Sequence, residues 1–166
     1  MNIKVRKLTD YNLMRLSMEY TSNAEIGKLS YSKKCRMYDA EHSPIRTQMF
    51  TIEMQDIPTF VSVHLVRHKI GVEHFVQSNR TDRKNVQGVA DRNTPINHLM
   101  VCNAQALMTM ARRRLCKCAS KETQEVFKQI KKKVGEIDEV LAEFLVPMCK
   151  YRGKCPEGRN CVSTGD

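Results

Sequence analysis

The residues best able to do chemistry lie in HLVRHKIGVEHFVQSNRTDR, residues 64–83, where three histidines, three arginines and a lysine stand among apolar positions. His64, Arg67 and His68 are spaced i, i+3 and i+4 behind Pro58, so on a helix started by that proline they share one face. Val63 and Val66 would then point into the core. Ser78-x-Arg80 follows on a returning segment. Such an arrangement can surround one phosphate, the arginines supplying planar paired donors and the serine a hydroxyl. A basic surface patch would use the same residues, and spacing alone leaves both readings open.

Further on, Asn103 and Arg114 stand eleven residues apart, about three helical turns, and so lie on a common face. Arg112, Arg113 and Arg114 form a run that suits a solvated helix end, where cations oppose the helix dipole. Arg112, roughly 200° around the helix from Arg114, is expected to be an exposed charge of little consequence.

Seven cysteines are many for a chain whose thiols stay reduced, and the odd number argues against a closed disulfide framework. Cys116-x-Cys118 is followed in the tail by Cys149, Cys155 and Cys161. Four thiolates can hold a tetrahedral zinc ion. The spacings depart from the usual CxxC pairs, so reduced structural thiols are the competing account. Cys35 and Cys102 fall in apolar, helix-like contexts and read as small core residues.

The elements that must position these groups are short and mixed. NIKVRKL alternates as a strand. Thr9 is a plausible cap for a helix with Leu13, Leu16 and Tyr20 on its apolar face, and Ser32 for a second helix ending before Ser43-Pro44. IRTQMFTIEMQ alternates as a strand, TFVSVHLVRHK reads as a helix, VEHFVQ as a strand and residues 78–95 as a long polar loop. INHLMVCNAQALMTMARRRL is predicted as one long core helix striped by Leu99, Met100, Leu107 and Met110. Two further helices, KETQEVFKQIKKKV and EIDEVLAEFLV, precede Pro147. The expectation is an α+β fold: a central, mostly antiparallel sheet with packed helices, residues 1–146 forming one domain and 147–166 a Cys-rich tail.

The chain has 166 residues, enough for one domain with a real core. Its formal charge of +10 favours anionic partners, nucleotide or nucleic acid. No apolar run approaches the roughly 20 residues that span a bilayer, and the N-terminus lacks a signal-like apolar segment. A soluble cytoplasmic protein without a membrane partner is expected. The absence of tryptophan makes base stacking, and with it nucleic-acid binding, the weaker alternative.

Taken together, EHSPIRTQMFTIEM, HLVRHK followed by Ser78-Asn79-Arg80, and NAQALMTMARRRL resemble the flavin-dependent thymidylate synthase family in order and approximate spacing, from about Glu41 to Glu122. The resemblance implies a homotetramer with active sites at subunit interfaces. It implies FAD as cofactor, dUMP or a related pyrimidine nucleotide as substrate, and methylenetetrahydrofolate and NADPH as co-substrates for C5 methylation to dTMP. By position it places Arg67 and His68 between flavin and nucleotide, with Lys69 beside them. It places His64, Ser78 and Arg80 at the nucleotide and its phosphate, and Ser43, Arg46 and Asn103 near the flavin. Arg114 would pair with the pyrimidine edge, so Arg114 and Ser78 are the catalytic candidates. Six departures stand out. Lys69 replaces an arginine, and the Lys69–Ser78 gap is one residue longer than the motif. Arg46, Thr109 and Cys118 stand where an acid, an asparagine and a histidine are usual. The Arg80–Asn103 segment is short. These departures keep C5 modification of another pyrimidine nucleotide, such as hydroxymethylation, as an alternative, alongside a basic nucleic-acid binder with a metal-holding tail.

Overall fold

The computed structural model describes residues 1–80, 82 and 91–157. Four strands, β1 (Asn2–Lys7), β2 (Met49–Pro58), β3 (Val72–Val76) and β4 (Pro95–Asn103), form an antiparallel sheet in the order β1-β2-β4-β3. Period-two alternation decides which side meets the core. Phe50, Ile52 and Met54 of β2 and Ile96, Met100 and Cys102 of β4 are buried, while Thr51, Glu53, Leu99 and Val101 face the other side. A bulge between Met54 and Ile57, with Asp56 in the left-handed region at φ 55°, bends the end of β2 toward the following helix.

The helices are α1 (Tyr11–Ser22), α2 (Tyr31–Asp39), α3 (Thr59–Leu65), α4 (Ala104–Arg114), α5 (Lys121–Gly135), α6 (Glu139–Phe144) and α7 (Met148–Arg152), with a 3-10 turn at Ser43–Thr47. Asp10, not Thr9, caps α1, accepting from the backbone N–H groups of Asn12 and Leu13. Ser30, not Ser32, caps α2. Helix α5 buries Val126, Phe127, Ile130 and Val134 at helical spacing. Asp138, capping α6, also receives Lys7 Nζ at 2.6 Å and the Tyr11 hydroxyl at 2.6 Å. One buried carboxylate thereby ties β1, α1 and α6 together.

Four expectations need correction. The predicted long helix is half strand: residues 95–103 form β4, the inner neighbour of both β2 and β3, and only Ala104–Arg114 are helical. Ile96, His98, Met100 and Cys102 alternate on the buried face, so the same apolar residues fit period two better than the helical stripe. Cys102 is therefore a strand residue. Second, Ile45, Arg46 and Thr47 are not strand but part of the 3-10 turn, with Pro44 at its start and Gln48 just past its end. Third, α3 ends at Leu65, so Arg67 and His68 belong to the turn that follows it, and Val63 is exposed. On α1, Leu13, Leu16 and Tyr20 are exposed and Met14 is the buried residue. Among the described residues no helix is long and apolar enough to cross a membrane.

Candidate active site

Two sequence events put the basic residues at one place. Helix α3 stops after two turns, and the chain reverses through residues 66–71 into β3. Gly71 makes that reversal, at φ +72° and with Asn103 so close that a Cβ would stand 2.5 Å from its amide nitrogen. Asn103 in turn caps α4, its Oδ1 accepting from the Ala106 N–H at 2.9 Å. The turn after α3 and the start of α4 are thus fitted to each other, and the far end of α4 delivers Arg114 back to the turn.

Arg114 Nε–H donates to His68 Nε2 at 3.1 Å and Nη2–H to the His64 carbonyl at 2.6 Å. That uses two of its five donors. Among the described residues no carboxylate pairs with Arg114 or with Arg67. Burial, and then the charges of Arg67 and Arg113, oppose the Arg114 cation and lower its pKa. Burial and the same Arg114 charge push His68 down to about 4, so it is neutral at physiological pH. His64 is lowered for the same two reasons, burial first, and its Nδ1 lies 2.9 Å from the Thr123 hydroxyl. Arg113 is paired with Glu157, but Arg67 and Arg114 are crowded together without such a partner among the described residues, and that makes a site that an anion would stabilise.

A cavity of about 380 Å³ opens there, lined by Arg67, His68 and Arg114 on one side and by Cys116, Cys118, Cys149 and Cys155 on another. Burial, chiefly, raises the Cys116 thiol, which also contacts Cys118, so Cys116 is a poor nucleophile. Among the described residues no three His, Cys, Asp or Glu side chains are grouped to hold a metal ion. Cys161 lies outside those residues.

The other expected site residues are placed elsewhere. Ser78 and Arg80 leave the end of β3, where the Ser78 hydroxyl accepts from the Arg80 N–H at 3.4 Å and the Arg80 guanidinium pairs with exposed Asp82. Neither lines the cavity. Lys69 is exposed in the turn, and Ser43 and Arg46 are exposed on the 3-10 turn.

Arg112 overturns its expectation. It is buried, ion-paired with Glu41 and stacked over Tyr151, with its Cζ 3.5 Å from the ring centroid. Burial alone would raise the Glu41 carboxyl, but hydrogen bonds from Arg112, Tyr151 and Gln105 hold it below the usual range. No local signal marks this pair, because its partners are 71 and 39 positions apart in sequence. The sequence reading also missed Ser62, His74 and His98, which form a hydrogen-bonded chain beneath the turn. The one available signal was the alternation that puts His98 on the buried face of β4.

A four-stranded antiparallel sheet, with an arginine-tipped helix returning to the turn before its edge strand, defines the architecture. It is the fold of the flavin-dependent thymidylate synthases. The solved structures it matches include thymidylate synthase X (ThyX) from Helicobacter pylori with FAD and dUMP. One such structure covers 87% of this chain and 99% of the other, at 12% identity and TM-score 0.72. A second covers 88% and 100%, at 12% identity and TM-score 0.74. The UMP/dUMP methylase PolB from Streptomyces cacaoi, bound with 5-Br dUMP, matches over 87% of this chain and 94% of the other, at 15% identity and TM-score 0.64. No protein-family model and no curated protein sequence matches the chain.

Proposed function

We propose that this chain is a flavin-dependent methyltransferase that methylates dUMP at C5 with methylenetetrahydrofolate and NADPH, giving dTMP. The observation that carries the reading is the pair Arg67–Arg114, two guanidinium groups at one cavity that have no carboxylate partner among the described residues, since Glu157, which also lines the cavity, is paired with Arg113, on a fold whose solved examples hold dUMP or its 5-bromo analogue. Three N–H donors of Arg114 stay available after His68 and His64 are served. Directed at a pyrimidine edge they favour its anionic form, the charge that develops when C5 becomes a nucleophile. Neutral His68 holds Arg114 in place without adding a competing charge.

The residues fit FAD in one respect: Arg46, Arg67 and Lys69 are exposed cations unpaired among the described residues, as an anionic diphosphate cofactor requires. With Ser43, His68 and Asn103 they are the residues that would hold it. Bound there, the flavin supplies the hydride that completes the methyl group. A second reading, C5 modification of another pyrimidine nucleotide, is favoured by PolB, since the same fold serves a UMP/dUMP methylase.

The test is titration of the purified protein with FAD and dUMP, followed by single-turnover analysis with methylenetetrahydrofolate and NADPH. Flavin uptake, dUMP binding and dTMP formation support the first reading. Flavin uptake with C5 modification of UMP or another pyrimidine nucleotide, and none of dUMP, supports the second. Failure to take up flavin, with nucleic acid retained instead, rejects both.

A further inference from the structure

Below the proposed anion site lies a chain of polar groups that the reading above does not use. The Ser62 hydroxyl is 3.0 Å from His98 Nδ1, His98 Nε2 is 3.0 Å from His74 Nδ1, and His74 Nε2 is 2.8 Å from the His68 carbonyl oxygen. Ser62 and His98 are buried, at 2% and 1% exposure. The chain runs from α3, through the inner strand β4 and the edge strand β3, to the turn that carries Arg67 and His68.

The direction of every bond follows from its last member. A carbonyl only accepts, so His74 Nε2 carries a hydrogen. In neutral His74 the Nδ1 is then an acceptor, which requires the proton of His98 on Nε2. His98 Nδ1 is left to accept from the Ser62 hydroxyl. On the other side of the turn Arg114 Nε–H can only donate, so His68 Nε2 accepts and its proton resides on Nδ1. The His68 residue is therefore gripped twice, its backbone by the histidine relay and its ring by Arg114, while the neighbouring His64 carbonyl accepts from the same guanidinium.

We infer that Ser62, His98 and His74 are positioning residues: a buried relay that fixes the turn at His68, and through His68 the orientation of the Arg114 guanidinium toward the ligand. The inference rests on reading the Arg67–Arg114 cavity as a nucleotide site, but its first test does not. Imidazole ¹⁵N spectra of the protein at pH 8 report which nitrogen of each histidine is protonated. His74 and His98 are expected as Nε2–H forms and His68 as the Nδ1–H form. The last is the discriminating signal, because free imidazole side chains in water favour Nε2–H. His68 in the Nε2–H form overturns the proposal.

The second test uses dUMP as probe with His74→Leu, His74→Gln and Ser62→Ala. Leucine removes the bond to the His68 carbonyl. Glutamine restores a donor near the position of Nε2. Misplacing a buried polar contact costs about tenfold or more in what depends on it. His74→Leu is expected to bind dUMP at least about tenfold more weakly and to lose the fixed His68 tautomer, with His74→Gln recovering both to within about threefold. Ser62→Ala, cut at the far end, is expected to show a smaller loss in the same direction. If the parent binds dUMP and His74→Leu, though less heat-stable, keeps its affinity and the His68 tautomer, the relay is only structural and the inference fails. If the parent does not bind dUMP, the nucleotide reading fails, while loss or retention of the His68 tautomer in His74→Leu still decides whether the relay positions the turn.

Discussion

Two arginines two positions apart on α4 have opposite roles, and the difference is their partners. Arg114 has neutral partners and spare donors; Arg112 has Glu41 and Tyr151. Arg114→Ala is expected to leave the fold intact and to lower nucleotide turnover about 10²-fold or more, the usual consequence of losing a donor aimed at developing charge. Arg112→Ala leaves Glu41 half-buried without its cation and is expected to destabilise by roughly 3 kcal/mol. Melting curves and single-turnover rates for both variants separate the two, and equal effects on turnover at equal stability would reject the assignment. Histidine makes a second prediction at this scale. Burial, with a smaller contribution from His74, pushes His98 from 6.5 down to about 4. The unfolded chain takes up that proton first, so between those values the unfolded state binds more protons and stability falls as the pH falls. The loss is roughly 3 kcal/mol, read as melting temperature against pH. His98→Gln, less stable at pH 7, is expected to lose less over the same descent. Arg67, His68 and Arg114 were legible in the sequence because they lie in two short segments of recognisable spacing. Arg112 and the histidine relay were not, since their partners come from distant segments and a one-dimensional period carries no record of them.

At the scale of elements, the site depends on how tightly the turn before β3 meets the cap of α4. Gly71→Ala would add a Cβ 2.5 Å from Asn103 Nδ2 and strain a backbone at φ +72°. It must displace the side chain that caps α4. A destabilisation of roughly 1–3 kcal/mol is expected, with weaker ligand binding than the stability change alone explains, checked by denaturant unfolding and dUMP titration. Asp138→Ala is the contrasting case, outside the cavity lining. It removes a carboxylate whose side chain is 1% exposed and leaves Lys7 and Tyr11 without it, so roughly 3–5 kcal/mol should be lost. Strands with clean alternation, β1 and the body of β2, were readable, as was amphipathic α5. The start of β4 was not: INHLMVC satisfies both periods, and only pairing on both sides, with β2 and β3, makes it a strand. Helix α3 was read too long because nothing local in VRHK forbids another turn. Its end is set by the Gly71 reversal and the bond from the His68 N–H to the Leu65 carbonyl.

For the whole molecule, the fold class was legible from the mixture of periods, and the motif resemblance to the flavin-dependent thymidylate synthases supplied the architecture that composition could not. What no monomer displays is how its exposed apolar groups are covered. Leu13, Leu16 and Tyr20 form a stripe on α1, at 41%, 44% and 83% exposure, and Ile70 and Phe75 stand at 93% and 58% around the start of β3. Contiguous apolar side chains left to water mark interaction surfaces. The helix places the three α1 residues at i, i+3 and i+7, the spacing of a packed face. Ile70, beside the turn that carries Arg67, puts one such group next to the proposed site. The resemblance implies a homotetramer, and we propose this stripe on α1 as one of its contacts. Light scattering of the purified protein is expected to give four times the 19.2 kDa chain mass, and Leu16→Glu with Tyr20→Glu to lower that mass without altering the far-ultraviolet circular dichroism. If subunits complete one another's sites, the dissociated variant should also lose flavin uptake while Arg114 stays in place. A parent protein of single-chain mass that binds FAD and dUMP normally would reject the tetramer and leave the cavity beside Arg67 and Arg114 as a site complete in one chain.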